Sequence, residues 1–412
     1  VLKVPLTKCN TAFPRVSDAM SDPPPPPPPP PLTLHRTVSA GGIPVFRGGD
    51  IVVKHRDELN FDGLRPAPDR VWFGNMTFEV AQDEWTVDKF LNFGAEGQTY
   101  LVTRTATNER FAAKFCTKED SMEVNIVQEL PRQLVTHENF IKYELIVLNV
   151  HEIFAPAHHI IFMEHIPNGE LFDVLASPEP SVAGKPLAEG TSRRILRDVI
   201  SGMAECYRFG VTHRDLKPEN LLINEQGRIV IIDMGHAKRV PSSGVPSPLA
   251  LSRTTTTNPY GTPAFNAPEV TGGKSYDCEL SDVWSVGVIS FYLHGKLPAF
   301  QAGGGVADPL KHCSGPNNDP LWKKIQDSGY YPNFPEELKG FINTLWRLDP
   351  NERPRFSQLE KAIHADEEVI REFPGLQWLG RPVNEVESFV DELSRSCPNK
   401  TFHAPAGGAR RW

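Results

Sequence analysis

The 412 residues suffice for one large domain, or two of ordinary size, with linkers. Apolar residues make up 39% and charged residues 23%, the balance of a soluble globular chain with unstructured flanks. A net charge of −8 argues against non-specific nucleic-acid or anionic-membrane binding, and no apolar run approaches the roughly 20 residues that span a bilayer.

In chain order, residues 1–85 read as a proline-rich, largely disordered region. Pro23 to Pro31 form an unbroken proline run, which lacks backbone donors and settles into polyproline II. It reads as a stiff spacer or as a ligand for a polyproline-binding adaptor; no flanking arginine completes a docking motif. Val71–Val80 offers one local strand. From Thr86 the texture changes: strands are expected at Val87–Phe93, Thr99–Arg104 and Phe111–Phe115, with a glycine-containing turn Gly94-Ala95-Glu96-Gly97 between the first two. Asp120-Ser121-Met122-Glu123 has the form of a capping box opening a helix. Further strands end at Ile160–Met163. After Asn168-Gly169 the pattern turns helical: Ile195, Val199 and Met203 share one face of Arg193–Phe209, and helices follow at Ser281–Leu293 and Leu338–Leu348. A strand-rich half followed by a helix-rich half predicts two lobes. Residues 365–412 form a tail with an amphipathic helix at Val383–Leu393.

Six cysteines, Cys9, Cys116, Cys206, Cys278, Cys313 and Cys397, show no metal-binding spacing and read as reduced thiols of a cytoplasmic or nuclear protein. The first residues, Val1 to Pro5, lack the apolar stretch of a secretory leader.

The chemistry concentrates in His213-Arg214-Asp215-Leu216-Lys217-Pro218-Glu219-Asn220. One short loop supplies a proton acceptor (Asp215), a phosphate-contacting cation (Lys217) and a metal ligand (Asn220). Asp233-Met234-Gly235 follows an apolar strand, where phosphoryl transfer needs a second metal ligand. A second His-Arg-Asp, at His55-Arg56-Asp57, lacks both the Lys-Pro-Glu-Asn continuation and the downstream Asp-x-Gly. It reads as an accidental surface tripeptide.

With these motifs in order, residues 86–364 resemble a eukaryotic-type protein kinase domain. The Lys-Pro-Glu-Asn ending is similar to that of Ser/Thr kinases. Met163-Glu164-His165-Ile166-Pro167-Asn168-Gly169-Glu170-Leu171-Phe172 resembles the hinge and ribose segment of calcium/calmodulin-dependent-like kinases. The resemblance implies an α+β, bilobal fold with a small β-rich lobe and a larger helical one. It implies a Ser/Thr protein kinase that uses ATP and Mg²⁺ on a protein substrate. It assigns Asp215, Lys217, Lys114 and Thr262 to catalysis. Asn220 and Asp233 would hold the metal, being the hard oxygen donors that Mg²⁺ prefers. Gly94, Gly97, Val102, Ala112, Lys114, Met163, Glu164, Ile166, Glu170 and Leu222 would surround ATP. The helix glutamate partnering Lys114 is expected to be Glu129. Glu123 stands only nine residues beyond Lys114 and reads better as a helix-capping carboxylate. Glu269 is expected to pair with Arg353.

Two departures stand out. The glycine loop has two glycines at a spacing unlike Gly-x-Gly-x-x-Gly, with Tyr100 in place of the third; Met234 replaces the usual Phe. Met234, flexible and apolar, can still pack beneath the helix; the glycine loop and the open choice of helix glutamate leave a pseudokinase scaffold as the alternative reading. Thr254, Thr255, Thr256 and Thr257 form a candidate phosphorylation segment for an upstream kinase, with Arg214 as the phosphate's partner. Glu170 and Glu219 suggest basic residues near the acceptor.

Overall fold

The computed structural model describes residues 52–55, 77–80, 83–151, 156–176, 187–239, 255–257, 260–272, 275–296, 299–300, 309–315, 317–329 and 333–383. The polyproline run, Thr254 and all but the first residue of the expected tail helix lie outside them.

The first lobe is built on a sheet of seven described strands: β1 (Val52–His55), β2 (Thr77–Val80), β3 (Asp83–Gly94), β4 (Gly97–Arg104), β5 (Glu109–Cys116), β6 (Tyr143–Leu148) and β7 (His159–Glu164), in spatial order β1-β6-β7-β5-β4-β3-β2. Its pairings are antiparallel except β1 with β6. The first strand of the domain thus begins at Asp83, four residues before the expected start. At the sheet's edges β2 falls within the local strand expected at Val71–Val80, whereas β1 comes from the stretch read as largely disordered. His55, from the decoy tripeptide, closes β1 opposite Leu148.

Period-2 alternation divides the sheet's side chains between two cores. Ala113, Phe115, Ile160, Phe162, Leu145 and Val147 join Trp85, Val87, Tyr100 and Val102 on one face. Ala112, Cys116, Ile161, Met163, Ile146 and Leu148 point to the other face and join the core that continues into the second lobe. The first face is closed by Trp85, whose ring lies 4.6 Å from Phe162 and 5.3 Å from Phe111. The Arg104 guanidinium sits 4.8 Å from both the Trp85 and Phe111 rings.

Between β5 and β6 lie α1 (Met122–Gln128) and α2 (Arg132–Val135). The helix opens where a cap was expected, but Ser121 rather than Asp120 is the cap: its hydroxyl accepts from the Val124 N–H at 3.3 Å.

The second lobe follows α3 (Leu171–Leu175) with α4 (Glu189–Arg208), which buries Ile195, Val199 and Met203 as its spacing requires. Short strands then frame the site: β8 (Val211–Thr212), β9 (Leu221–Ile223), β10 (Ile229–Ile231), β11 (Lys238–Arg239), β12 (Thr255–Thr256) and β13 (Tyr276–Asp277). At the lobe's centre α5 (Cys278–Gly295) is buried almost all round, and the Asp277 carboxylate caps it by accepting from Glu279 and Leu280 N–H. Around it lie α6 (Pro309–His312), α7 (Asp319–Ser328), α8 (Glu336–Leu345) and α9 (Phe356–Ile363).

Packing continues past residue 364 through α10 (Glu367–Glu372) and α11 (Gln377–Gly380). Trp378 is buried there. It donates to the Glu189 carboxylate at 2.6 Å, beneath the Arg193 guanidinium 5.0 Å away. Residues to about Val383 therefore belong to the packed lobe. Among the described residues no helix is long and apolar enough to cross a membrane, and Cys116, Cys206, Cys278 and Cys313 are buried.

Candidate active site

The loop carrying His213 to Asn220 is stretched between β8, which pairs with β11, and β9, which pairs with β10. Asp233 follows β10. Arg214 and Asp233 adopt left-handed φ values of 64° and 68°, a strain that surrounding bonds must hold. At Arg214 the holder is Asp282 of α5. This buried carboxylate accepts from the His213 and Arg214 N–H groups at 2.9 Å each, and from the Tyr207 hydroxyl at 2.6 Å.

Asp215 sits at the centre of a closed network. Its Oδ1 accepts from the Thr262 N–H and hydroxyl, both at 2.8 Å, and its Oδ2 lies 2.8 Å from Lys217 Nζ. Lys217 also donates to the Thr262 hydroxyl at 2.8 Å. The Asn220 amide NH₂ donates to the Asp215 carbonyl at 2.8 Å and to Oδ2 at 3.2 Å, which turns the Asn220 carbonyl oxygen the other way.

Lys114 emerges from β5 and pairs with Glu123 on α1; Asp233 Oδ1 lies 3.3 Å from the same nitrogen. Burial opposes the Lys114 charge, but the two carboxylates outweigh it and hold the ammonium well above the usual lysine range. Burial likewise pushes the Asp233 carboxyl up, but Lys114 and the Gly235 N–H overcome this and leave it at about 2. Met234 is fully buried in the core shared with α1.

Glu129 is not the partner of Lys114. It is the C-cap residue of α1, largely exposed, and 3.8 Å from Arg239. Glu123 is 1% exposed. Nine residues suffice because Thr117 to Ser121 turn tightly under the lid and the helix starts at once.

The lid differs from its expected layout. Gly94 and Gly97 pair across the two-residue turn Ala95-Glu96, so they match the last two glycines of Gly-x-Gly-x-x-Gly, and Asn92 holds the first position. Gly97 has φ +153°, and a Cβ there would stand 1.9 Å from the Phe115 carbonyl; only glycine fits. Tyr100 is not part of the turn. It lies within β4, 1% exposed, against Phe115 and Phe90.

Val102 is also displaced. Directly opposed residues share a sheet face. Thr99 pairs with Lys114 and Leu101 with Ala112, whereas Val102 pairs with Phe111 in the other core. Thr99 and Leu101 therefore line the cleft. A check on their parity with Lys114 along the paired strands would have found them from sequence.

Ala112 is opposite Met163, and both share the core with Ile166, against which Leu222 packs half-buried. Glu164 pairs with Phe111 and its carboxylate accepts from the Lys142 N–H at 3.0 Å. Glu170 accepts from the Asn92 amide at 3.0 Å across the cleft mouth. The expected Glu269–Arg353 pair is bidentate, at 2.5 and 3.0 Å.

The sequence profile of the protein kinase domain matches residues 85–363. The chain is 30% identical over 287 residues to CBL-interacting protein kinase 15 of Oryza sativa subsp. japonica, covering 68% of this chain and 58% of that one. It is 31% identical over 285 residues to CBL-interacting serine/threonine-protein kinase 20 of Arabidopsis thaliana, covering 69% and 58%. It is 35% identical over 282 residues to CBL-interacting serine/threonine-protein kinase 15 of Arabidopsis thaliana, covering 66% and 58%. The alignments thus span less than two-thirds of these relatives' length.

Proposed function

The chain belongs to the protein kinase family, and from that premise we propose that it transfers the γ-phosphoryl group of ATP to Ser or Thr hydroxyls of a protein. The observation that carries the reading is the joined network of Lys114–Glu123, Lys114–Asp233 and Asp215–Lys217–Thr262. Phosphoryl transfer proceeds through a loose transition state, so catalysis consists mainly of positioning and charge neutralisation. Lys114, fixed by Glu123, is placed to hold the α- and β-phosphates. Asp215 orients the acceptor hydroxyl and takes its proton. Lys217, held between Asp215 and Thr262, neutralises the travelling phosphoryl group.

The Asp233 carboxylate, anionic at neutral pH, and the freed Asn220 carbonyl oxygen fit Mg²⁺. Among the described residues no group of three or more His, Cys, Asp or Glu makes a ready metal cage. Held by Asp233 and Asn220, Mg²⁺ would supply positive charge to offset that of the phosphates.

Two finer readings follow from particular residues. Glu219 Oε2 is buried with no hydrogen-bond partner, and burial raises its carboxyl's pKa. With Glu170 it supports a preference for Arg or Lys near the acceptor, which a peptide array reads directly; an acidic or proline-directed choice refutes it. Arg214 donates to the His236 carbonyl at 2.6 Å, lies 4.5 Å from the Tyr260 ring, and reaches the Tyr276 hydroxyl. Since β12 pairs with β13, Thr255–Thr256 run beside Tyr276. A phosphate added by an upstream kinase at Thr255, Thr256 or Thr257 would gain a nearby guanidinium; Thr254 stays in the proposal on its sequence alone.

Transfer from γ-labelled ATP to a basic Ser/Thr peptide, followed by phosphoamino-acid identification, tests the assignment. Phosphoserine or phosphothreonine formed by the wild type, and lost in Asp215→Asn, is the expected result. Nucleotide binding without transfer would establish the scaffold reading instead.

A further inference from the structure

Glu96 stands at the tip of the lid, where a charged side chain would ordinarily project into water, yet it is 8% exposed. The side chain is folded back. Its Oε2 accepts from the Ser121 hydroxyl at 2.7 Å and its Oε1 pairs with Lys118 Nζ at 2.9 Å. Its backbone carbonyl accepts from the Thr117 N–H at 2.8 Å and the Thr117 hydroxyl at 3.3 Å. Each carboxylate oxygen is thus engaged, and the charge is matched by one lysine.

Ser121 serves two masters: it donates to Glu96 and, as N-cap, accepts from the Val124 N–H. Two residues into the same turn comes Glu123, the partner of Lys114. The lid is therefore bonded to the cap of the same helical turn that carries Glu123, the partner of the phosphate-holding lysine. Gly235 makes room for it: a Cβ there would meet Glu96 Cγ at 3.5 Å and Asp233 Oδ1 at 3.0 Å.

We propose that Glu96 is a positioning residue that latches the tip of the lid onto the first turn of α1, so that lid placement and the Lys114–Glu123 pair are set together. This deepens, and rests on, the kinase reading. A Gly-x-Gly-x-x-Gly lid owes its placement to backbone freedom; here Asn92 removes one glycine and Glu96 supplies a side-chain tether in its stead. The tether acts on helix and lysine geometry rather than on nucleotide contact. Its loss should therefore fall on turnover more than on nucleotide affinity.

The test compares the wild-type chain with Glu96→Ala, Glu96→Gln, Ser121→Ala and the Glu96→Ala/Ser121→Ala double variant. Glu96→Ala should lower kcat about tenfold, the loss expected of one hydrogen bond to a charged group, while the Kd for ADP stays within about threefold of wild type. The double variant should be no slower than Ser121→Ala alone, because both single changes cut the same link. Glu96→Gln keeps an oxygen that accepts from Ser121 and should recover most of the rate. Losses that add in the double variant, or a wild-type kcat in Glu96→Ala, would overturn the latch. Hydrogen exchange at the Val124 amide provides a readout apart from transfer. Faster exchange in Glu96→Ala than in wild type supports the latch, and equal exchange refutes it. If the wild type transfers no phosphate, the kinase reading fails, and the exchange result still decides the latch.

Discussion

Replacing each of the two candidate helix glutamates in turn separates the sequence expectation from the structure. Lys114 is 9% exposed and Glu123 1%, so Glu123→Ala strips a buried ammonium of its nearest counter-charge. Breaking a buried ion pair costs about 3–5 kcal/mol. Asp233, 3.3 Å from the same nitrogen, still faces Lys114, which places the loss near the lower end, about 3 kcal/mol. For a domain of this size that is a fall in Tm of about 6 °C. If the same energy is withdrawn from phosphate positioning, kcat/KM falls about a hundredfold. Glu129→Ala removes only an exposed carboxylate 3.8 Å from Arg239, a change expected to stay within about 0.5 kcal/mol. Calorimetry and steady-state phosphate transfer read both variants. A larger loss in Glu129→Ala than in Glu123→Ala would refute the reasoning.

Three further outcomes are expected. Val102→Ala should cost about 2 kcal/mol of stability through its buried cavity and leave ATP affinity unchanged, whereas Thr99→Trp should weaken ATP binding; isothermal titration with urea unfolding distinguishes them, and the reverse pattern would restore Val102 to the cleft. Asp233 has a folded-state pKa of about 2, below the unfolded reference of about 3.9. It therefore contributes stability above pH ~4 that is lost as pH falls toward 2. The Tm gap between wild type and Asp233→Asn should narrow on acidification, and a widening gap would contradict the assignment. Burial pushes the Cys116 and Cys278 thiols up to about 12, so iodoacetamide at pH 8 should leave both unmodified in the native protein and alkylate them only after unfolding.

Which parts were legible in the sequence has a physical pattern. The His213–Asn220 loop was readable because its chemistry is local: Asp215, Lys217 and Asn220 meet within one loop, Thr262, also named from sequence, bonds to Asp215 and Lys217, and the structure adds only Asp282 as a clamp. Helix α4 was readable because burial enforces a 3.6-residue period on Ile195, Val199 and Met203. The Lys114 partner was not, because chain separation is a poor guide to a turn as tight as Thr117–Ser121. Val102 was misplaced for a different reason: a strand reports its faces only through parity, and one step in register exchanges cleft for core. Glu96 gave no signal at all, since a glutamate in a turn usually points into water, and only its distances to Ser121 and Lys118 reveal the fold-back.

The most direct measurement is phosphate incorporation from Mg-ATP, followed by intact mass, for wild type and Asp215→Ala side by side. The network around Asp215 leads us to expect that the wild type gains phosphate on Ser or Thr and that Asp215→Ala gains almost none. Equal incorporation by the two proteins, or none by either, would contradict an active phosphotransferase.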